Sequence, residues 1–375
     1  MMRKLRNVLN LARKELWSLA RDPVMMGLIV YVFTVAIYVS AMAIPETLSN
    51  AAIAIVDEDA SPLSARIAQA FYPPEFVPPR LIGRAEMDSG MDSGAFTFAL
   101  DIPPNFQRDV LAGRAPELQL NVDATRMSQA FSGAGYVQQM ALLEVSEFVQ
   151  RQRAVQVAPV ELALRASFNP TLTQKWFGSV GQLIDMVGVL SIILTGAALM
   201  REREHGTVEH LLVMPVTPGE IMLSKVLAMG AVVLAAVALS MRLVVAGWLR
   251  VPLAGSMALF LLGAALCIYA MTALGIFMAT LARSMPQFGM LFVLVVLPLM
   301  MLSGGRTSRD GMPEAVRAVM RLAPTTHFVD VGQAILFRGA GLEVVWPSLL
   351  AMAAIGTVLF VLALRRFRRT LAQMG

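Results

Sequence analysis

The chain has 375 residues, of which 57% are hydrophobic and 15% charged, and it carries a net charge of +5; soluble domains run at roughly 45–50% and about 25%. That balance excludes a water-soluble globular protein. The positive charge is concentrated beside apolar blocks, so it needs no nucleic-acid partner. The blocks are about 20 residues long, enough for a helix to cross a ~30 Å hydrocarbon layer.

In residues 1–22, Leu5, Val8, Leu9, Ala12 and Leu16 recur at helical spacing, with Arg6, Asn7, Asn10, Arg13 and Lys14 on the other side. This predicts an amphipathic helix in the headgroup layer, beside Trp17, either as an anchor or as a contact for a cytoplasmic partner. Asp22-Pro23 ends it and opens the first span, 23–44. Ala41-Met42-Ala43 has the form of a signal cleavage site, but the length of the run and of the segment before it favour a retained anchor.

Residues 45–176 are too polar for lipid and too long for a loop. Ala51–Asp57, Ala95–Pro103 and Glu117–Asp123 read as strands; Pro62–Phe71, Pro104–Leu111 and Ser128–Gln152 read as helices. Their alternation predicts an α/β domain. Asp57, Asp59 and Ser61 precede a helix and read as capping groups rather than metal ligands.

Four more spans follow in 177–302, at Gly178–Met200, Val226–Leu249, Met257–Leu281 and Phe288–Leu302, the last carrying Pro298. The loop 201–225 contains a short helix with an apolar face, a plain connector or a docking knob. Residues 303–343 hold two stretches too short to span, Pro313–Leu322 and Thr325–Phe337, expected as outer-leaflet or re-entrant helices. Residues 344–375 carry the sixth span, Val345–Leu364, and a tail. Basic clusters at both ends place both termini in the cytoplasm of a bacterial inner-membrane protein, although Arg306, Arg309, Arg317, Arg321 and Arg338 oppose that orientation. The fold class expected is thus an α-helical polytopic membrane protein: six transmembrane helices, a large extracytoplasmic α/β domain between helices 1 and 2, and an N-terminal interfacial amphipathic helix.

No GxxxxGK[ST] loop occurs, and the lysines are Lys4, Lys14, Lys175 and Lys225 alone, so nucleotide energy would have to come from a partner. His205 and His210 are five apart, off the i, i+4 geometry of metal ligands, and the sole cysteine, Cys267, lies in a span. No catalytic constellation is visible, which argues against an enzyme. Two charges fall inside spans, Asp185 and Arg242, and such residues are candidates for a translocation path. The 26 methionines read as lipid-facing or core filler in preference to a promiscuous pocket.

Three stretches carry a resemblance: REREHGTVEHLLVMP at 201–215, DIPPNFQRDVLAGRAPELQLNVDAT at 101–125, and MLSGGRTSRDGMPEAV with APTTHF between 301 and 328. With the order of the spans they make the chain resemble the ABC type 2 (ABC-2) permeases of bacterial exporters, most closely their YhhJ-like group. The resemblance implies an ATPase-coupling helix at Gly206, Thr207, Val208, Glu209, Leu211 and Leu212, with Glu202 and Glu204 at the end of the span before it. It implies a separate ATPase subunit that binds ATP and Mg, a second permease as homo- or heterodimer, and a periplasmic membrane-fusion adaptor as a further candidate partner. Gly304 and Gly305 are candidates for a hinge or a simple turn. The sequence departs from the family where MDSGMDSG, 87–94, replaces an expected helix and where Arg242 interrupts a span. A membrane-anchored sensor or assembly protein, and an ion-coupled carrier using Asp185 and Arg242, are the competing readings.

Overall fold

The structure, a computed structural model, describes residues 2–42, 50–123, 127–153, 174–204, 216–305 and 309–372. The chain divides into two compact units, Met1–Ile44 with Ala166–Gly375, and Pro45–Arg165.

The first unit is helical. Helix α1 (Met2–Ala20) leads into α2 (Pro23–Phe33) and α3 (Val35–Met42), two halves of one apolar run broken at Thr34. The break frees the Phe33 carbonyl from its helical partner, and Ser240 Oγ donates to it at 2.6 Å. Buried polar groups inside an apolar bundle need such partners. The next long helices are α8 (Gln174–Glu204), α9 (Pro218–Ser240, continued by a π-helical turn Met241–Trp248) and α10 (Met257–Leu281). They are followed by α11 (Met285–Leu302), the short α12 (Glu314–Met320) and α13 (Pro324–Leu336), and α14 (Leu342–Ala372). Among the described residues six helices are long and apolar enough to cross a membrane: Pro23–Met42, Trp176–Glu204, Pro218–Trp248, Met257–Leu281, Met285–Leu302 and Leu342–Arg369.

The third of these begins eight residues before the sequence boundary at Val226. Thr217 and Glu220 form a capping box there, Pro218 occupies the first turn, and Lys225 is carried inside the helix by the ion pairs described below. Helix α8 is the axis of the unit, with 83% of its apolar window buried against 11% for α11. It packs on α3, α9, α10 and α13. At its crossing with α10 the backbones touch: a Cβ on Gly275 would lie 2.8 Å from the Ile192 carbonyl oxygen and 3.0 Å from its Cα.

Helix α13 does not lie on the surface. Thr325, Phe328, Val331, Gly332 and Ile335 are buried among α8, α10 and α14, with Phe328 stacked on Phe260 at 5.6 Å. It meets α8 at Ile184 and Gly188, near the start of that helix and away from Glu204.

The second unit is a three-layer α/β sandwich around a sheet of order β2-β1-β3-β4, formed by β1 (Ile53–Asp57), β2 (Arg80–Leu81), β3 (Phe98–Ile102) and β4 (Gln119–Val122). β1 is parallel to β2 and β3, and β4 is antiparallel to β3. Ile53, Ile55, Phe98 and Leu100 face α4 (Pro62–Gln69), α6 (Phe106–Leu111) and α7 (Met127–Arg153). Ala54, Val56 and Ala99 face Met87 and Phe96 beside α5 (Arg84–Asp92). With both faces covered, the strands read as continuous apolar runs.

Two details correct or fill in the sequence reading. The stretch 87–94 does not interrupt a helix: α5 runs through it to Asp92, and Gly90 is needed because a Cβ there would sit 2.3 Å from the Phe96 ring. Asp57 accepts from the amides of Asp59 and Ala60 and from the Ser64 hydroxyl, Ser61 caps α4, and Asp59 accepts from the Gln107 amide. All three residues serve helix starts.

Because backbone cannot yield as a side chain can, Gly275→Val is expected to cost about 1–3 kcal/mol by forcing α8 and α10 apart. The check is the apparent melting temperature of the full chain in detergent. An unchanged melt would contradict the close crossing.

Candidate functional site

The last turn of α8 ends in four consecutive charged residues, Arg201, Glu202, Arg203 and Glu204, and leads directly into residues 205–215. Successive residues on a helix point about 100° apart, so four of them sweep the whole circumference. Each of these reaches a different neighbour. Arg201 Nη1 donates to Asp22 Oδ2 at 2.6 Å, at the junction of α1 and α2. Glu202 turns toward α1 and α9. Arg203 Nη1 donates to the carbonyls of Ala279 and Ala282, both at 2.8 Å, closing the C-terminus of α10. Glu204 Oε1 accepts from the Met285 amide at 2.8 Å, capping α11, whose N-cap Ser284 makes no side-chain cap of its own. A cation at a helix C-terminus and an anion at an N-terminus are the arrangements the helix dipole favours.

Glu202 belongs to a four-charge cluster. Lys225 Nζ of α9 lies 2.9 Å from Glu15 Oε1 and 2.8 Å from Glu202 Oε2, and Lys14 Nζ lies 2.7 Å from Glu202 Oε1 and 3.4 Å from Glu15 Oε1. The Lys225 side chain is 1% exposed, and those of Glu15 and Glu202 are 8% and 11% exposed. Two lysines balance two glutamates, so the group is neutral at the end of an apolar helix bundle. Lys14 is half exposed, but Lys225, Glu15 or Glu202 alone there would be strongly unfavourable.

The position of Glu15 follows from the face α1 buries. Val8, Leu11, Ala12 and Leu19 pack on the bundle, chiefly against α9, and Glu15 lies on that same stripe. The apolar stripe read from the sequence is therefore split: Val8 and Ala12 face protein, while Leu5, Leu9, Leu16 and Trp17 are exposed. Helix α1 carries a second apolar side suited to lipid.

Burial works against the Lys14 ammonium, but its hydrogen bond to Glu202 and the charges of Glu202 and Glu15 outweigh that and raise its pKa. The Met25 amide, together with Arg201, holds Asp22 below the usual carboxylate range despite an opposing effect of burial. The Lys14 contribution is therefore complete below the unfolded lysine value of about 10.4 and lost as pH rises through its raised folded value; that of Asp22 is complete above about 3.9 and lost as pH falls through its lowered one.

Of the residues singled out in the sequence, Glu202 is buried in the bundle, and Glu204 is exposed and caps α11. Gly206, Thr207, Val208, Glu209, Leu211 and Leu212 lie outside the described residues. Asp185 is buried in α8, whereas Arg242 is exposed on the π-helical turn after α9. Gly304 has φ +97, a conformation that favours glycine, and a Cβ there would strike Arg309, whose guanidinium pairs with Asp330 of α13. Gly305 faces Val329. The pair thus forms a turn stapled to α13. Lys14, Glu15, Asp22, Arg201, Arg203 and Lys225 complete the site and were not singled out; the available signal was a glutamate on the apolar stripe of α1 and a lysine one residue before an apolar run.

This bundle, with a charged hub just before one loop and a separate α/β unit inserted after its first span, is the architecture of a multi-pass membrane protein. The sequence profile described as ABC-2 family transporter protein matches residues 24–365, and the chain belongs to that family. It is 56% identical over 374 residues, covering 100% of both chains, to the inner membrane transport permease YhhJ of Escherichia coli strain K12. It is 28% identical over 363 residues, 96% of this chain and 97% of the other, to the probable multidrug ABC transporter permease YbhR of the same strain. The probable multidrug ABC transporter permease YbhS is 26% identical over 344 residues, 89% of each chain. The six apolar helices and the YhhJ similarity support a multi-pass inner-membrane protein.

Removing one partner of a buried ion pair leaves its counter-charge exposed to an apolar environment, so Lys225→Met is expected to cost about 3–5 kcal/mol. Adding Glu15→Gln and Glu202→Gln to that variant should recover most of the loss. Thermal unfolding of the detergent-solubilised chain checks both. A Lys225→Met protein as stable as the parent would show that the cluster does not hold the bundle.

Proposed function

We propose that the chain is the membrane-spanning permease subunit of an ATP-binding-cassette exporter, moving substrate outward across the inner membrane with ATP hydrolysed by a separate subunit. The observation that carries this reading is the hub at Arg201–Glu204, whose four side chains grip four neighbours immediately before the loop 205–215. A push on that loop cannot move α8 alone. It moves α1, α9 and the α10–α11 corner with it, which is how a local displacement becomes a rotation of a packed bundle.

In this reading the ATPase binds ATP and Mg2+ and docks on Gly206, Thr207, Val208, Glu209, Leu211 and Leu212, while Glu202 and Glu204 transmit its motion. Both termini face the cytoplasm and the α/β unit faces the periplasm, where it is available to a membrane-fusion adaptor. Helix α11 leaves most of its surface uncovered in one copy, which supports pairing with a second permease. The word multidrug in the names of YbhR and YbhS supplies the cargo class to test first.

Two variants separate docking from transmission. Glu209→Arg is expected to prevent the ABC ATPase from co-purifying with the chain. Arg203→Ala is expected to leave that complex intact while lowering ATP-driven dye accumulation in inverted membrane vesicles at least fivefold, the size of a coupling energy of about 1 kcal/mol. Accumulation that continues without ATP, or that is abolished by collapsing the proton gradient alone, would contradict the reading.

A further inference from the structure

The α/β unit contains a recess of about 600 Å³ between the outer edge of its sheet and α7. Pockets for small molecules run from about 300 to 1,000 Å³. One wall is β4 and the residue before it, where Leu118, Leu120 and Val122 alternate onto the same face and remain half-buried. The opposite wall is α7, which presents Ala134, Gln138 and Ala141 at i, i+4 and i+7. Val137, Leu142 and Val145 of the same helix complete that wall, and Val137 and Phe148 also tie α7 to the core of the unit. Leu100 and Phe106 close the bottom and are fully buried, so the apolar surface continues into the core of the unit.

The polar groups are few and sit at one side. Gln138 offers an amide along the helix wall, and Arg114 lines the rim. Arg114 is the charged residue of the lining, and it shares Asp109 with Arg108, so one carboxylate meets two guanidinium groups and leaves them only partly neutralised. An apolar slot with a positive rim selects an amphiphile by both ends: a hydrophobic body for the slot and one anionic group for the arginines.

From this geometry we infer that the α/β unit is a binding site for a small amphiphilic anion, its apolar part held between β4 and α7 and its negative group at Arg114. The site rests on this unit alone and stands or falls independently of the export reading.

The test uses the full chain in lipid nanodiscs, with empty nanodiscs as baseline, and two fluorescent probes that share an aromatic body. Anilinonaphthalene sulfonate carries a negative group, and phenylnaphthylamine does not. Both are expected to saturate at one site per chain, the sulfonate more tightly. Gln138→Trp, at an exposed position, and Ala141→Trp, at a buried one, should each remove saturable binding of both probes by filling the slot. Arg114→Glu should weaken the sulfonate about tenfold and leave the neutral probe within twofold, since reversal of one rim charge acts only on the charged ligand. Saturable binding that survives Gln138→Trp would overturn the proposal, whatever Ala141→Trp does to folding. So would equal weakening of both probes by Arg114→Glu, or no saturable signal above empty nanodiscs.

Discussion

The interaction on which the transmembrane unit depends is the burial of the Lys225 ammonium between the carboxylates of Glu15 and Glu202. A charge at the end of an apolar helix must find compensation within a few ångströms, and here the compensation comes from two other helices at once. The requirement fixes geometry. It sets the rotation of α1 about its axis, since Glu15 must face inward, and the height of α9 relative to α8, since Lys225 must stand level with Glu202. Arg201, Arg203 and Glu204 then extend the same logic around α8, each satisfying a group that the bundle would otherwise leave exposed: a carboxylate, two helix-end carbonyls and a helix-start amide. The end of α8 is thus tied to backbone groups at two helix ends, to the buried Lys225, and to the more exposed side chains of Lys14 and Asp22.

These ties at one end contrast with what lies further back along the same helix. There α13 packs into the bundle and meets Ile184 and Gly188, and the turn at Gly304 is held to α13 by the Arg309–Asp330 pair. Helix α8 therefore runs from a seat shared with this short buried helix to a hub shared with four neighbours. A single long helix buried over most of its length is well suited to carry a displacement between such regions. The α/β unit follows different rules, with a sheet covered on both faces and an apolar recess between β4 and α7.

Much of this was legible in the sequence, because bilayer crossing imposes length and composition that a reader can count. The span Met257–Leu281 was read to the residue, and the strands at Ile53–Asp57 and Phe98–Ile102 stood out as apolar runs between turn signals. What stayed hidden has a common cause. Hydropathy treats every charge as a boundary, so Lys225 falls in the loop before the span, although Glu202 makes its charge tolerable inside the structure. Periodicity gives α1 one apolar face where it has two, and it does not draw attention to Glu15, the charged member of the buried face. The two-residue strand Arg80–Leu81 is too short to leave a pattern, and α5 was obscured because its Ser89-Gly90 pair resembles a turn. Long-range compensation between residues 210 positions apart, as in the Lys225–Glu15 pair, is not written in any local window.

In the proposed mechanism α1, α8, α9 and the α10–α11 corner move as one body when the loop after Glu204 is pushed. The most direct measurement is the distance between spin labels at Arg13→Cys on α1 and Ser284→Cys beside α11, in a Cys267→Ala background, with labelled copies diluted among unlabelled ones and the ATPase bound. The account predicts that this distance holds to within about 2 Å between the nucleotide-free and ATP-trapped states, the scale of small helix adjustments, while either label moves relative to one placed on α13. A change between Arg13→Cys and Ser284→Cys as large as the change to α13 would contradict it.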